Sequence, residues 1–194
     1  MTAQVSEIAR SEVGTLGIVP AGTAEYNGTQ FSMSPIVYLS LGANLGDRES
    51  QLRSAIGRLE TAGRIVSVSS FYETEPVEFV DQAWFLNCAV ALETAQTPQQ
   101  LMAALLAIER DMGRRRTKKK GPRTIDIDIL LFGDTILEAP GLTIPHPAMH
   151  RRRFVLEPLA EIASEASHPV LNKTVRELLQ ALPAGQAVRK AKSA

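Results

Sequence analysis

Asp126 and Asp128 stand one residue apart in Ile125-Asp126-Ile127-Asp128-Ile129, directly after Gly121-Pro122-Arg123 and a loop crowded with positive charge. Side chains on a strand alternate between faces, so the three isoleucines share one face and the two aspartates share the other. The isoleucine face suits a core. Two carboxylates side by side repel each other unless something positive sits between them. Mg²⁺ meets that need, because it is commonly held by one or two carboxylates together with phosphates. Arginines arriving from the preceding loop would grip those phosphates, since the rigid guanidinium fork engages two oxygens at once. The local chemistry reads as polyphosphate handling. The bland alternatives are a solvated strand face for the acids and a solvated or nuclear-localisation-like run for Arg114, Arg115, Arg116 and Lys118 to Lys120.

Charge distribution supports a localised anion site. The 194-residue chain has a formal net charge of zero, yet of its 21 Lys and Arg residues eight lie between Arg110 and Arg123 and three more are Arg151, Arg152 and Arg153. A neutral chain is not a general nucleic-acid coat, whereas cations confined to two short windows mark an anion site. With 44% apolar residues the chain supports one domain with a sizeable core. A single cysteine, Cys88, excludes an internal disulfide and fits a reducing compartment. No apolar run approaches the roughly 20 residues needed to span a bilayer. The N-terminus has neither a basic nor an apolar signal region, so a cytoplasmic protein is expected.

The elements that must position these groups follow from periodicity. Residues 1–34 show no sustained pattern and carry one basic residue, Arg10, beside Glu7, Glu12 and Glu25; they read as a disordered extension, with little apolar surface to offset ordering entropy. Residues 35–183 form the domain and 184–194 a mobile tail. Ile36 to Leu41 is a strand, and Gly42-Ala43-Asn44-Leu45-Gly46-Asp47 a turn. The next element is a helix with Leu52, Ala55, Ile56 and Leu59 on one face, closed by Gly63. Residues 64–74 and 84–93 read as strands. Thr97-Pro98-Gln99-Gln100 starts a helix with a capping box, and Leu101, Leu105, Ile108 and Met112 form its stripe. The strand of the two aspartates follows, then short helices near 155–163 and 174–182, the second with a capping box of Thr174 and Glu177. Strand–helix–strand–strand–helix–strand predicts an α+β fold of the ferredoxin-like split βαβ type: a four-stranded, mainly antiparallel sheet with helices on one face and the other face free.

Phe85 and Asn87 share a strand face, where an aromatic and an amide could stack on a flat heterocycle and bond its edge; the plain alternative is an edge aromatic beside a turn-facing amide. His146, between two prolines, is either a phosphate or ribose donor or a structural histidine in a constrained loop. Cys88 falls on the apolar face as a buried, inert thiol. No P-loop, zinc spacing or dinucleotide fingerprint is present.

The chain resembles the 6-hydroxymethyl-7,8-dihydropterin pyrophosphokinases of folate biosynthesis from about Ile36 to Leu182. The resemblance is carried by Tyr38 to Asp47, Val68 to Thr74, Phe85-Leu86-Asn87, Ile108-Glu109-Arg110 with Gly113-Arg114, Gly121 to Leu131, and Ile144-Pro145-His146-Pro147. The run Gly-Pro-Arg-Thr-Ile-Asp-Ile-Asp is highly specific to that family. The resemblance implies transfer of pyrophosphate from ATP to the pterin's hydroxymethyl oxygen with release of AMP, and two Mg²⁺ ions on Asp126 and Asp128. It assigns pterin stacking to Phe85 and Phe154, and pterin edge recognition to Asn87 with backbone groups around Thr74 and Val77. It assigns ATP contacts to Glu109, Arg116, Arg123, Ile129, Thr143, His146 and Arg152. By the same resemblance Arg114 would belong to a mobile catalytic loop and Lys120 is the candidate transition-state cation, with Arg123, Asp126 and Asp128 completing the catalytic group. Loops 75–83 and 110–123 would close over both substrates.

The sequence also departs from the family. The basic loop is one residue shorter than in familiar members and carries three lysines where an Arg-Trp pair is usual. Phe85 replaces a tyrosine, Pro147 replaces an aromatic, and residues 1–34 have no counterpart. The implied partners are ATP and the pterin, with no nucleic acid or membrane, for a monomer. A nucleic-acid module on the same fold is the competing reading and a structural scaffold a third; metal-dependent ATP binding separates them. Deleting residues 1–34 is expected to leave melting temperature and catalysis nearly unchanged; a fall of several degrees in a thermal melt would show that the segment docks on the domain.

Overall fold

Phe85–Glu93 is the strand around which the sheet is assembled, and its side chains are buried along nearly the whole length. The computed structural model describes residues 34–76, 82–114 and 122–192; the N-terminal extension, the tip of loop 75–83 and most of the basic loop lie outside them. In chain order the elements are β1 (Ile36–Ala43), α1 (Arg48–Leu59), β2 (Arg64–Val68), β3 (Tyr72–Thr74), β4 (Phe85–Glu93), α2 (Pro98–Asp111), β5 (Asp126–Phe132), β6 (Leu137–Ala139) and β7 (Leu142–Ile144). After a 3₁₀ turn at Met149–Arg151 come α3 (Arg153–Ala163), β8 (Ser167–His168), β9 (Lys173–Thr174), α4 (Val175–Gln180) and β10 (Val188–Lys190).

The main sheet runs β10-β3-β4-β1-β5, with β2 also pairing with β4, and every pairing is antiparallel. This α+β arrangement differs from the sequence expectation in two respects. The sheet has six strands instead of four. The expected strand 64–74 is broken into β2 and β3 at Ser69, whose Oγ takes the place of a backbone carbonyl in accepting from Ala89 N–H at 2.9 Å while its own N–H donates to the Ala89 carbonyl at 2.9 Å. The segment expected as a tail from 184 supplies the extra edge strand, β10, along β3.

Helices also occupy both faces, not one. Leu86, Cys88, Val90 and Leu92 of β4 pack with the buried stripes of α1 and α2. Ala89 of β4 and Leu130 and Leu131 of β5 pack with Val155, Leu156 and Leu159 of α3 and Leu178 of α4. A register shift between Tyr38 and Leu39 against β5 explains the adjacent leucines: Leu39 faces Ile129 and Tyr38 faces Leu131. The extra residue breaks strict alternation, as bulges do. Ile125, Ile127 and Ile129 therefore serve the first core and Leu130 and Leu131 the second. The second pair of helices covers only part of its sheet face; the remainder holds the site.

Local signals explain the helix ends. Asp47 caps α1 by accepting from Ser50 N–H at 3.0 Å. Reciprocal capping boxes start α2 at Thr97 and Gln100 and α4 at Thr174 and Glu177, each cap contributing about 1 kcal/mol. Gly63 lies beyond the end of α1 at Leu59, and close approach is its reason: an added Cβ would collide with the Glu93 carbonyl of β4. No helix among the described residues is long and apolar enough to cross a membrane.

Burial pushes the Cys88 thiol up to about 12, so almost none is thiolate at neutral pH, and thiolate is the reactive form. In the folded protein Cys88 is expected to resist a disulfide-exchange reagent at pH 8 and to react stoichiometrically once guanidinium unfolds the chain. Rapid labelling of the native protein would contradict the packing described for β4.

Candidate active site

Strand register builds the site. Gly42 of β1 lies opposite both Asn87 of β4 and Asp126 of β5, and Ser40 lies opposite Ala89 and Asp128. Two rows therefore cross three strands, each with a small residue of β1 in the middle and an aspartate of β5 at one end, and the first ends on Asn87. An added Cβ at Gly42 would overlap Asn87 Oδ1, so the glycine leaves room for the Asn87 amide to lie over β1. Thr74 fixes that amide, its Oγ1 accepting from Asn87 Nδ2 at 2.7 Å in a buried bond.

One cavity stands on this floor. Its lining includes Phe85, Asn87 and Thr74 on one side, Phe154 and Arg152 on another, and Arg123, Asp126 and Asp128 at the end. Glu75, Pro76 and Gln82 form the rim. Most of the residues chosen from sequence are thus brought together. Ile129 is an exception, its side chain buried among the helices of the opposite face. Thr143 is exposed on β7, opposite Glu138. Val77, Arg116 and Lys120 lie outside the described residues.

Charges alternate at the acid end. Glu109, buried near the end of α2, accepts from Ile127 N–H at 2.8 Å and pairs with Arg114. Arg114 reaches Asp126 Oδ1 at 2.6 Å, and Arg123 also pairs with Asp126. Glu109 thus holds Arg114 and the start of β5 together. A buried carboxylate of this kind is tolerated only when paired and hydrogen-bonded. Burial and the neighbouring Arg114 draw the Arg123 guanidinium below its ordinary pKa, with Asp128 and Glu109 opposing; arginine remains a cation at neutral pH.

His146 is half-buried, and burial lowers its pKa while Asp128 opposes the change. Its Nδ1 accepts from Ala148 N–H at 3.1 Å, which leaves the proton of the neutral ring on Nε2, a single directed donor. Arg152 lies over the Phe154 ring, 5.6 Å from its centre, combining a cation with an aromatic wall.

Sequence reasoning passed over Asn44, which ties the site together. It is buried, and its Oδ1 accepts from Arg123 N–H at 2.7 Å. Its Nδ2 donates to Gln82 Oε1 at 3.0 Å and to the Ala83 carbonyl at 3.2 Å, while its own N–H donates to the Arg123 carbonyl at 3.1 Å. One amide therefore anchors the fixed ends of both loops. The only signal was a short polar side chain between Gly42 and Gly46, which reads equally as an ordinary turn. Arg48 was also missed; it donates to the Trp84 carbonyl at 2.9 Å and pairs with Glu73 at 3.1 Å, bracing the strand end beside Phe85.

Hard oxygens on Asp126 and Asp128 fit Mg²⁺. Among the described residues no cluster of three or more His, Cys, Asp or Glu residues could hold a metal.

Comparisons with known proteins show what the chain resembles in sequence and fold. Residues 38–164 match the family described as 7,8-dihydro-6-hydroxymethylpterin-pyrophosphokinase. A Bacillus subtilis protein named 2-amino-4-hydroxy-6-hydroxymethyldihydropteridine pyrophosphokinase is 47% identical over 135 residues, covering 69% of this chain and 81% of that protein. The Schizosaccharomyces pombe folic acid synthesis protein fol1 is 42% identical over 150 residues, 76% of this chain but only 20% of that longer protein. The crystal structure of a Plasmodium falciparum HPPK-DHPS shares the fold, with a TM-score of 0.60 at 21% identity, covering 78% of this chain and 45% of that one.

Gly42→Ala is expected to leave the sheet folded while displacing the Asn87 amide. A melting temperature near that of the original chain, together with roughly tenfold or greater loss of affinity for a flat heterocycle, would be the signature; each bond withheld from a buried polar edge costs about 1–3 kcal/mol. Unchanged affinity would show that Gly42 and Asn87 do not shape the binding floor.

Proposed function

The chain belongs to the 7,8-dihydro-6-hydroxymethylpterin-pyrophosphokinase family, and on that premise we propose how its site divides the work. It is a pyrophosphokinase of folate biosynthesis, moving pyrophosphate from ATP to the hydroxymethyl group of 6-hydroxymethyl-7,8-dihydropterin and leaving AMP. The observation that carries the residue assignments is that the aromatic–amide pocket and the acid pair line one cavity.

We read Phe85 and Phe154 as the walls between which the pterin stacks, and Asn87, held by Thr74, as the group that bonds its edge. The hydroxymethyl group then points along the row toward Asp126 and Asp128. Arg123, Arg152 and His146 Nε2–H surround the same end and hold the ATP phosphates, with Arg116 and Lys120 arriving from the basic loop. Asp126 and Asp128 would hold two Mg²⁺ ions, which when bound neutralise phosphate charge and lower the pKa of the attacking alcohol. Arg114 pairs with Asp126; with Asp126 engaged by a metal, Arg114 would be available to a phosphate. The alcohol oxygen attacks the β-phosphorus in line, the bond to the α-phosphate oxygen breaks, and AMP departs. The protein contributes positioning and charge neutralisation and forms no covalent bond to the transferred group. The sheet is consistent with a split βαβ unit, because β4 lies between β1 and β2 and antiparallel to both.

Incubation with ATP, Mg²⁺ and the pterin is expected to yield AMP and not ADP; ADP would mean transfer of a single phosphoryl group and would refute the reading. Asp126→Ala and Asp128→Ala should each slow turnover roughly 10³-fold or more, equivalent to about 4 kcal/mol of barrier. Asp126→Ala should also lower stability by about 1–3 kcal/mol, because Arg114 and Arg123 lose their shared partner. Near-normal turnover in both variants would sink the assignment.

A further inference from the structure

The matched family segment stops at residue 164, yet the chain beyond it returns to the cavity. Gln186 makes two bonds there. Its Nε2 donates to the Glu75 carbonyl at 2.9 Å, and its Oε1 accepts from Phe154 N–H at 3.2 Å. Glu75 and Phe154 both line the cavity, one on the rim at the root of loop 75–83 and the other on the aromatic wall. A single amide side chain therefore spans two walls that belong to different parts of the fold.

The Phe154 bond fills a specific vacancy. Helix α3 begins at Arg153, and its N-cap residue, Arg152, makes no side-chain capping bond. The first N–H groups of a helix have no intrahelical acceptor and require one from elsewhere. Gln186 supplies it from 32 residues away, as a remote cap. The Glu75 side is doubled by the main chain, since Glu75 N–H donates to the Ala187 carbonyl at 3.1 Å. β10 then continues along β3, and Ala191 N–H donates to the Phe71 carbonyl at 2.8 Å. Ion pairs from Arg189 to Glu73 and from Lys190 to Glu161 accompany this course, but pairs so exposed contribute little. Neither pair reaches Phe154; Gln186 does.

We propose that Gln186 is a positioning residue for the pterin: by bridging Glu75 and Phe154 it fixes one of the two aromatic walls, Phe154, relative to the cavity rim at the root of loop 75–83. The proposal rests on reading the cavity as the pterin pocket. It touches the nucleotide end of the site only indirectly, so its effect falls on one substrate. Gln186→Ala removes both bonds. Gln186→Glu keeps an acceptor for Phe154 and sets a second oxygen, with no donor, against the Glu75 carbonyl.

The test uses the full-length chain, measuring KM for both substrates, kcat, and the thermal melt. Both variants are expected to raise the pterin KM roughly five- to tenfold, the loss of one or two modest hydrogen bonds. The ATP KM should stay within about twofold and the melting temperature close to that of the original chain. An unchanged pterin KM in both variants would overturn the proposal. So would equal losses for both substrates with a lowered melting temperature, which would make the strap a general stabiliser. A Phe154→Ala control read alongside separates the two levels: if it leaves the pterin KM unchanged, the pterin reading fails and the proposal fails with it.

Discussion

Two carboxylates one residue apart on the same strand face set the conditions that the surrounding structure meets. Left alone, Asp126 and Asp128 would destabilise the sheet at its functional end, since like charges two residues apart on a strand, roughly 7 Å, repel by about 2 kcal/mol at an effective dielectric of 20. Arg114 and Arg123 answer that repulsion in the free protein, both pairing with Asp126. Glu109 in turn holds Arg114 and the start of β5. The result is an alternating chain of charge whose positive members are the groups a polyphosphate would recruit. A site built this way exchanges internal partners for ligand partners, and it needs no large change of net charge to do so.

The sheet supplies what electrostatics alone cannot, a flat floor of small residues. Ser40 and Gly42 lie on β1 between Asn87 and the acids and line the cavity. Larger side chains would fill the space where a heterocycle must lie; at Gly42 even a methyl group overlaps Asn87. Above this floor the loops are held at their roots by single amides. Asn44 joins Arg123 to Gln82 and Ala83, and Gln186 joins Glu75 to Phe154. Amides suit such junctions because each carries a donor and an acceptor, so one side chain can satisfy backbone groups of opposite type.

Much of this was legible in the residues, for identifiable reasons. The Ile125–Ile129 alternation placed the acids on one face because strand periodicity is strict over five residues, and both capping boxes marked real helix starts. The long-range pairings were harder to see. Nothing local in Val188-Arg189-Lys190 signals an edge strand, since its partner β3 lies more than a hundred residues earlier. The break between β2 and β3 falls at Ser69, which bonds to Ala89. Helix α3 covers the second sheet face because Leu130 and Leu131 both turn toward it at a bulge, a departure from alternation that sequence periodicity does not register. Asn44 and Gln186 escaped notice for a related reason: their importance lies in what they join, and neither side of the junction is near in sequence.

On the proposed function, Asp126 and Asp128 would take up divalent metal when nucleotide phosphates arrive to engage the arginines. Titration with Mn²⁺ followed by electron paramagnetic resonance, with and without a non-hydrolysable ATP analogue, measures this uptake. Weak Mn²⁺ binding to the protein alone and strong binding once the analogue is present are expected, with the enhancement lost in Asp126→Asn and Asp128→Asn. Binding that is equally tight without nucleotide, or an enhancement that survives both substitutions, would contradict this reading.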